Sequence, residues 1–186
     1  MISGVVLAAG EARRFGTTKQ IAMLDGRPLV AHAIDALRGA DVGEIVVVTG
    51  HDAEAVEAAL PADVLVVRNP RYRDGQSTSL GAALHALAED SEAAVILMAD
   101  QPGVTADDVR ALIDGFVRTR HAIVRLRYTD GPGPALLSRE IYAEAGHLHG
   151  DTGARVLMAS HPEWVASVTV DRPVPRDIDE PGDLPV

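Results

Sequence analysis

No cysteine occurs among the 186 residues, which excludes disulfides, thiolate zinc sites and a cysteine nucleophile together. A chain without cysteine fits a reducing cytosol, and a cytoplasmic protein is expected. Aromatic residues are also scarce, at 3%, too few for the stacking platforms of single-strand binders. Positive charge is in short supply: 17 Lys and Arg against 27 Asp and Glu leave a formal net charge of −10. Without a basic face, counterion release cannot drive binding to phosphate backbones, so no nucleic-acid partner is expected. No apolar run approaches the length that crosses a bilayer. The opening MISGVVLAAG is too short an apolar stretch, with no charged segment before it, to be a secretory signal. No membrane partner is expected either.

What the chain does have is alternation. Hydrophobic residues make up 47% of it, enough to bury a sizeable core in one domain spanning residues 1–186. Short β-branched runs at 5–8, 44–49, 64–67, 94–99, 122–128 and 165–170 read as strands. Between them, segments of helical period cover 28–37, 52–60, 80–88, 105–116 and 152–160. Val30, Ala33, Ile34 and Leu37 share one helical face, Asp52 reads as an acidic N-cap, and Thr105 with Asp108 has the spacing of a capping box. The order predicts a three-layer α/β/α fold around a mostly parallel, Rossmann-like sheet. In such sheets ligands bind beyond the carboxyl ends of the strands. The proline-rich tail after residue 172 reads as an irregular strap.

The unusual loops fall on that edge. LAAGEARRFGTTK, residues 7–19, has small side chains at Ala8, Ala9 and Gly10 that let a nucleotide approach backbone N–H groups, while Arg14 and Lys19 supply the positive charge a polyphosphate needs. A solvated basic turn is the plainer alternative. Neither GxGxxG nor GxxxxGK[ST] is present, which sets aside dehydrogenases and P-loop NTPases. Asp100, in Met98-Ala99-Asp100-Gln101-Pro102, is either an Asx-turn residue before proline or an oxygen ligand for a hard cation such as Mg²⁺. The hydroxyls of Gly75-Gln76-Ser77-Thr78-Ser79-Leu80 sit at a helix start, where Ser77 or Thr78 can also serve as ordinary N-caps. His147 and His149, lacking a third ligand nearby, read as surface residues.

These motifs resemble those of nucleotidyltransferases with the glycosyltransferase-A-like, nucleotide-diphospho-sugar-transferase-like fold, and in particular the molybdenum cofactor cytidylyltransferases. The first loop is similar to LAAG-x-x-x-R-[MF]-G-x-x-K, the segment after the fourth strand to DxP, and Asp177-Ile178-Asp179-Glu180-Pro181-Gly182-Asp183-Leu184 to DIDTPEDL. The resemblance runs from Val5 to Leu184. It implies that Leu7, Ala8, Ala9 and Gly10 line an NTP, that Arg14 and Lys19 bind its phosphates, and that Asp100 holds Mg²⁺. Asp179 would be the second metal ligand, with Asp177 as the alternative. Gly75, Ser77 and Ser79 would lie near the transferred nucleotide, where Gln76 replaces the family's methionine. Asp151 and Arg155, in GDTGAR, would serve the acceptor side. Arg13 has no counterpart. The family's GHPVLF is missing its histidine, since Gly133-Pro134-Ala135-Leu136-Leu137 stands there.

The resemblance implies transfer of a nucleoside monophosphate from an NTP to a phosphate, releasing pyrophosphate. Relatives acting on guanine tend to read LAGG, and Ala9 would crowd a purine, so CTP is favoured, with molybdopterin as acceptor and a molybdoenzyme as recipient of the product. The alternatives are guanylyl transfer to molybdopterin or another small phosphate, and a non-catalytic cofactor-binding chaperone.

Overall fold

The computed structural model describes residues 1–12, 15–150 and 153–184. Its centre is a seven-stranded sheet whose strands are β1 (Ile2–Ala8), β4 (Glu44–Thr49), β5 (Leu65–Arg68), β6 (Ala93–Met98), β7 (Ile123–Arg127), β8 (Pro132–Ser138) and β9 (Val165–Thr169). A small hairpin of β2 (Met23–Leu24) and β3 (Arg27–Pro28) stands apart. The spatial order is β5-β4-β1-β6-β8-β7-β9. All neighbours pair in parallel except β8, which runs antiparallel to both β6 and β7.

β1 shows why the layers form. Its residues are buried on both faces, and alternate side chains enter opposite cores. Val6 and Ala8 pack with α1 (Leu29–Gly39), α2 (Ala53–Ala58) and α4 (Ala106–Thr119). Val5, Leu7 and Ala9 pack with α3 (Gln76–Ala86), α5 (Tyr142–Gly146) and α6 (Arg155–Ser160). The face expected of α1 is the one it buries, with Val30, Ala33, Ile34 and Leu37 at 1% exposure or less. At the start of α4 the capping box is formed: the Asp108 N–H donates to Thr105 Oγ1 at 3.3 Å and the Thr105 N–H to Asp108 Oδ2 at 2.8 Å.

Some local expectations differ from the structure. β8 differs from the loop that Pro132 and Pro134 suggest: the prolines stand in its first three residues, and the strand is buried from Pro134 onward. α3 begins four residues before the periodic apolar run, with Gly75 as N-cap, so neither Ser77 nor Thr78 caps it. Thr78 Oγ1 instead donates to the carbonyls of Arg71 and Gly75, each at 2.9 Å. Asp52 does sit at the N-cap of α2, but its carboxylate accepts from Thr18 Oγ1 rather than from the helix. No helix among the described residues is long and apolar enough to cross a membrane.

Candidate functional site

Because β4, β1 and β6 are adjacent and parallel, their carboxyl ends release three segments at one edge. The register is tight there: the Ala99 N–H donates to the Leu7 carbonyl and the His51 N–H to the Ala9 carbonyl, both at 3.1 Å. Gly10 and Asp100 therefore leave the sheet side by side. The first loop then makes a 3-10 turn at Lys19–Ile21, tied back by Gln20, whose Nε2 donates to the Gly10 carbonyl at 2.8 Å. Gln20 is buried, and its Oε1 accepts no hydrogen bond from the described residues.

Lys19 is the meeting point. Its Nζ donates to Asp100 Oδ2 at 2.8 Å and to Asp179 Oδ1 at 3.3 Å. Asp179 arrives there on the tail, which two devices hold in place. The Ile178 N–H donates to the Asp100 carbonyl at 3.0 Å, and the Ile178 side chain is buried against Phe15 and Leu29. With Ile178 pointing inward, its neighbours 177 and 179 are turned toward the 100–101 segment. Asp177 Oδ1 accepts from Gln101 Nε2 at 3.1 Å. Partial loss of water pushes the Asp177 carboxyl above its ordinary value; the Asp100 and Asp179 charges add to the rise, while Gln101 and Lys19 oppose it. Asp183 closes the tail's last turn: its Oδ2 accepts from the N–H groups of Glu180 and Asp179, each at 2.9 Å, and these two bonds hold its carboxyl below the usual range.

Next to this cluster lies a cleft of about 600 Å³, lined by Leu7, Ala9, Gly10, Ser79, Met98 and Asp100 among others. Its outer lip is a pair that motif reading did not single out. Arg73 Nε donates to Glu11 Oε1 at 2.9 Å, and the Arg73 guanidinium lies over the Tyr72 ring, 5.4 Å from its centre. The scarcity of aromatics was the available signal, since Tyr72 stands between two arginines in a chain with only three tyrosines. A smaller cavity of about 140 Å³ continues past Leu7 and Gln76 toward Gly153, Ala154 and Arg155.

The proposed site residues are thus not all in one place. Lys19, Asp100 and Asp179 are brought together, with Leu7, Ala9, Gly10 and Ser79 along the adjoining cleft. Arg155 borders the smaller cavity. Ala8 lies in the core on the α1 side of the sheet, so only its backbone faces this edge. Gly75 is buried beneath Gly150: its φ is +113°, and a Cβ there would stand 2.3 Å from the Gly150 carbonyl carbon. Ser77 lines a different cavity of about 860 Å³ between α3 and α5, whose lining does not include Lys19. Arg14 and Asp151 lie outside the described residues.

The carboxylate pair fits a divalent cation. Two oxygen donors converge on one cationic centre, a place now taken by the Lys19 ammonium. Hard cations such as Mg²⁺ take one or two protein carboxylates and leave the remaining positions to water and substrate phosphates. No group of three or more His, Cys, Asp or Glu side chains among the described residues offers a fuller ligand set.

This fold, with its loop-lined cleft at the strand ends, is that of nucleotidyltransferases of the nucleotide-diphospho-sugar transferase type. Residues 4–170 match the MobA-like NTP transferase domain, and the chain belongs to that family. Rv0371c from Mycobacterium tuberculosis H37Rv superimposes with a TM-score of 0.87 at 34% identity, over 98% of this chain and 94% of that one. The same protein in complex with manganese gives 0.81 at 33% identity, over 98% and 95%. A nucleotidyl transferase from Methanothermobacter thermautotroptrophicus gives 0.84 at 26% identity, over 98% and 94%. The bifunctional protein GlmU of Cupriavidus pinatubonensis is 31% identical over 138 residues, which is 73% of this chain and 30% of that protein. The chain therefore spans about 30% of the length of the curated relatives it matches.

Proposed function

We propose that the chain transfers a nucleoside monophosphate from an NTP to a small phosphate acceptor and releases pyrophosphate. The observation that carries this reading is the convergence of Lys19, Asp100 and Asp179 beside a cleft whose floor is small residues and backbone. Asp100 and Asp179 hold the divalent metal. The metal, Mg²⁺ in this reading, supplies charge neutralisation at the transferred phosphoryl group when bound. That Rv0371c has a manganese complex supports the use of a divalent ion. Lys19 and Arg14 bind the phosphate chain and stabilise the departing pyrophosphate. A phosphate acceptor is ionised at neutral pH, so no side chain has to remove a proton, and positioning with electrostatics carries the reaction. In a protein of net charge −10, the basic loop locally reverses a field that would repel a triphosphate.

For the base, CTP is the preferred reading: Ala9 is buried at the cleft wall, and its methyl group takes space that a purine would need. For the acceptor, the tail motif and GDTGAR support molybdopterin, with Arg155 on the cavity that extends from the nucleotide cleft. The similarity to GlmU supports a second reading, a sugar phosphate as acceptor. Incubation with CTP, GTP, ATP or UTP, Mg²⁺ and either molybdopterin or a sugar 1-phosphate, followed by pyrophosphate assay, tests both. CTP- and molybdopterin-dependent release is the expected result. Release only with the sugar phosphate replaces the acceptor. Tight NTP binding with no release under any condition leaves a cofactor-binding chaperone.

A further inference from the structure

We infer that Lys19 is the resident counter-ion of the Asp100–Asp179 pair and that a divalent metal enters only by displacing it, so that metal binding and the release of Lys19 toward the phosphates are one exchange. The inference rests on the reading of this edge as a metal–nucleotide site. The Lys19 ammonium is bonded to both carboxylates at once, and its side chain is only 11% exposed. A dication held by both oxygens has to take the place the ammonium now fills. Two cations of the same sign cannot share that place without mutual repulsion that the pair would have to offset.

Lys19 is suited to leave. Its charge sits on a flexible four-carbon stem, unlike the planar fork of an arginine. Its backbone is held independently, by the 3-10 turn and by Gln20 on the Gly10 carbonyl, so the side chain can swing while the loop stays in place. Beside it is a cavity of about 90 Å³ lined by Gly10, Ala12, Gln20 and Asp100. The buried Gln20 Oε1, which accepts nothing from the described residues, stands in its wall as an acceptor. In the nucleotide-free protein the exchange is opposed, because the ammonium would give up two carboxylates. With a triphosphate present it gains phosphate oxygens in return. Metal and nucleotide therefore bind with positive coupling, and free metal binds weakly.

The test is a Mn²⁺ titration of the nucleotide-free protein followed by electron paramagnetic resonance, in the wild type, Lys19→Met and Lys19→Gln. Both variants are expected to bind Mn²⁺ about tenfold more tightly than the wild type, within the usual range of site–site coupling. Adding Asp100→Asn to either is expected to abolish the gain. Acylation of Lys19 in the wild type, read by peptide mass spectrometry, is expected to rise severalfold under saturating Mn²⁺. Mn²⁺ binding that is absent, unchanged or weaker in both folded Lys19 variants overturns the inference, as does Lys19 acylation that Mn²⁺ leaves unchanged. Pyrophosphate release by the wild type is scored separately: if it fails while the Mn²⁺–Lys19 exchange is seen, the nucleotidyl-transfer reading falls and the exchange stands.

Discussion

Two acid–base clusters join the tail to the body of the molecule, and they are built on opposite plans. At Asp108 four donors converge on one oxygen of a buried carboxylate. The carboxylate is 2% exposed and accepts from the Thr105 N–H, Thr105 Oγ1, Tyr128 Oη and an Arg172 guanidinium nitrogen. Arg172 also lies over the Tyr128 ring, 4.9 Å from its centre. At Asp100 and Asp179 the carboxylates are 28% and 44% exposed and both meet the flexible Lys19 ammonium. A buried charge with all its donors in place fixes geometry, since any change strands a group without water. A half-open pair with a removable partner keeps its capacity for something else. Both use aspartate and a base; degree of saturation separates the strut from the site.

Removing the strut carries the largest expected effect. Asp108→Ala leaves the Tyr128 hydroxyl without its acceptor and the half-buried Arg172 with only the Gly103 carbonyl, opens the α4 capping box, and is expected to cost about 3 kcal/mol in denaturant unfolding. Asp100→Asn should do the reverse: pyrophosphate release falls on the order of 100-fold, while stability changes by less than about 1 kcal/mol because the pair is partly solvated. If Asp100→Asn unfolds the protein and Asp108→Ala silences only the reaction, the contrast has been assigned backwards.

Ile178→Ala lies between the two plans. It empties a buried position beneath the first loop at a cost of about 2 kcal/mol and frees Asp179, so calorimetry and pyrophosphate release should both decline. Retained activity would mean that the Ile178–Asp100 backbone bond alone places the carboxylate. The smallest effect concerns pH. Burial, helped by the Asp108 charge, pushes the Tyr128 phenol above its ordinary value, against the opposing Arg172 charge. A group that is easier to ionise in the unfolded chain contributes stability below the unfolded pKa of about 10 and loses it as pH rises further. Tyr128→Phe should therefore flatten the decline in melting temperature above about pH 10 and leave the neutral-pH reaction unchanged.

Reading the residues in order reached the parallel core of the sheet and its helical faces, because β4, β6, α1 and α4 carry complete apolar periods. It missed β8, whose prolines mimic a loop, and it misread the start of α3, where Gly75 against Gly150 sets the boundary and no period is visible. At the site, the small residues of the first loop, Lys19 and the acids of the tail were recognisable by type. What could not be read was their pairing: Lys19 meets Asp100 and Asp179 across separations of 81 and 160 residues. No local pattern encodes contacts at that range. Ile178, packed against Phe15 and Leu29, turns both Asp177 and Asp179 toward the 100–101 segment, and no local pattern tells that Asp179 meets Lys19 while Asp177 meets Gln101.

That separation has a consequence during synthesis. At ribosomal speeds the chain emerges over time, and the 160 residues between Lys19 and Asp179 correspond to a delay on the order of ten seconds. Throughout it the cationic loop exists with one carboxylate of its pair still unmade. The site is thus completed well after the first strands of the sheet beneath it have been made.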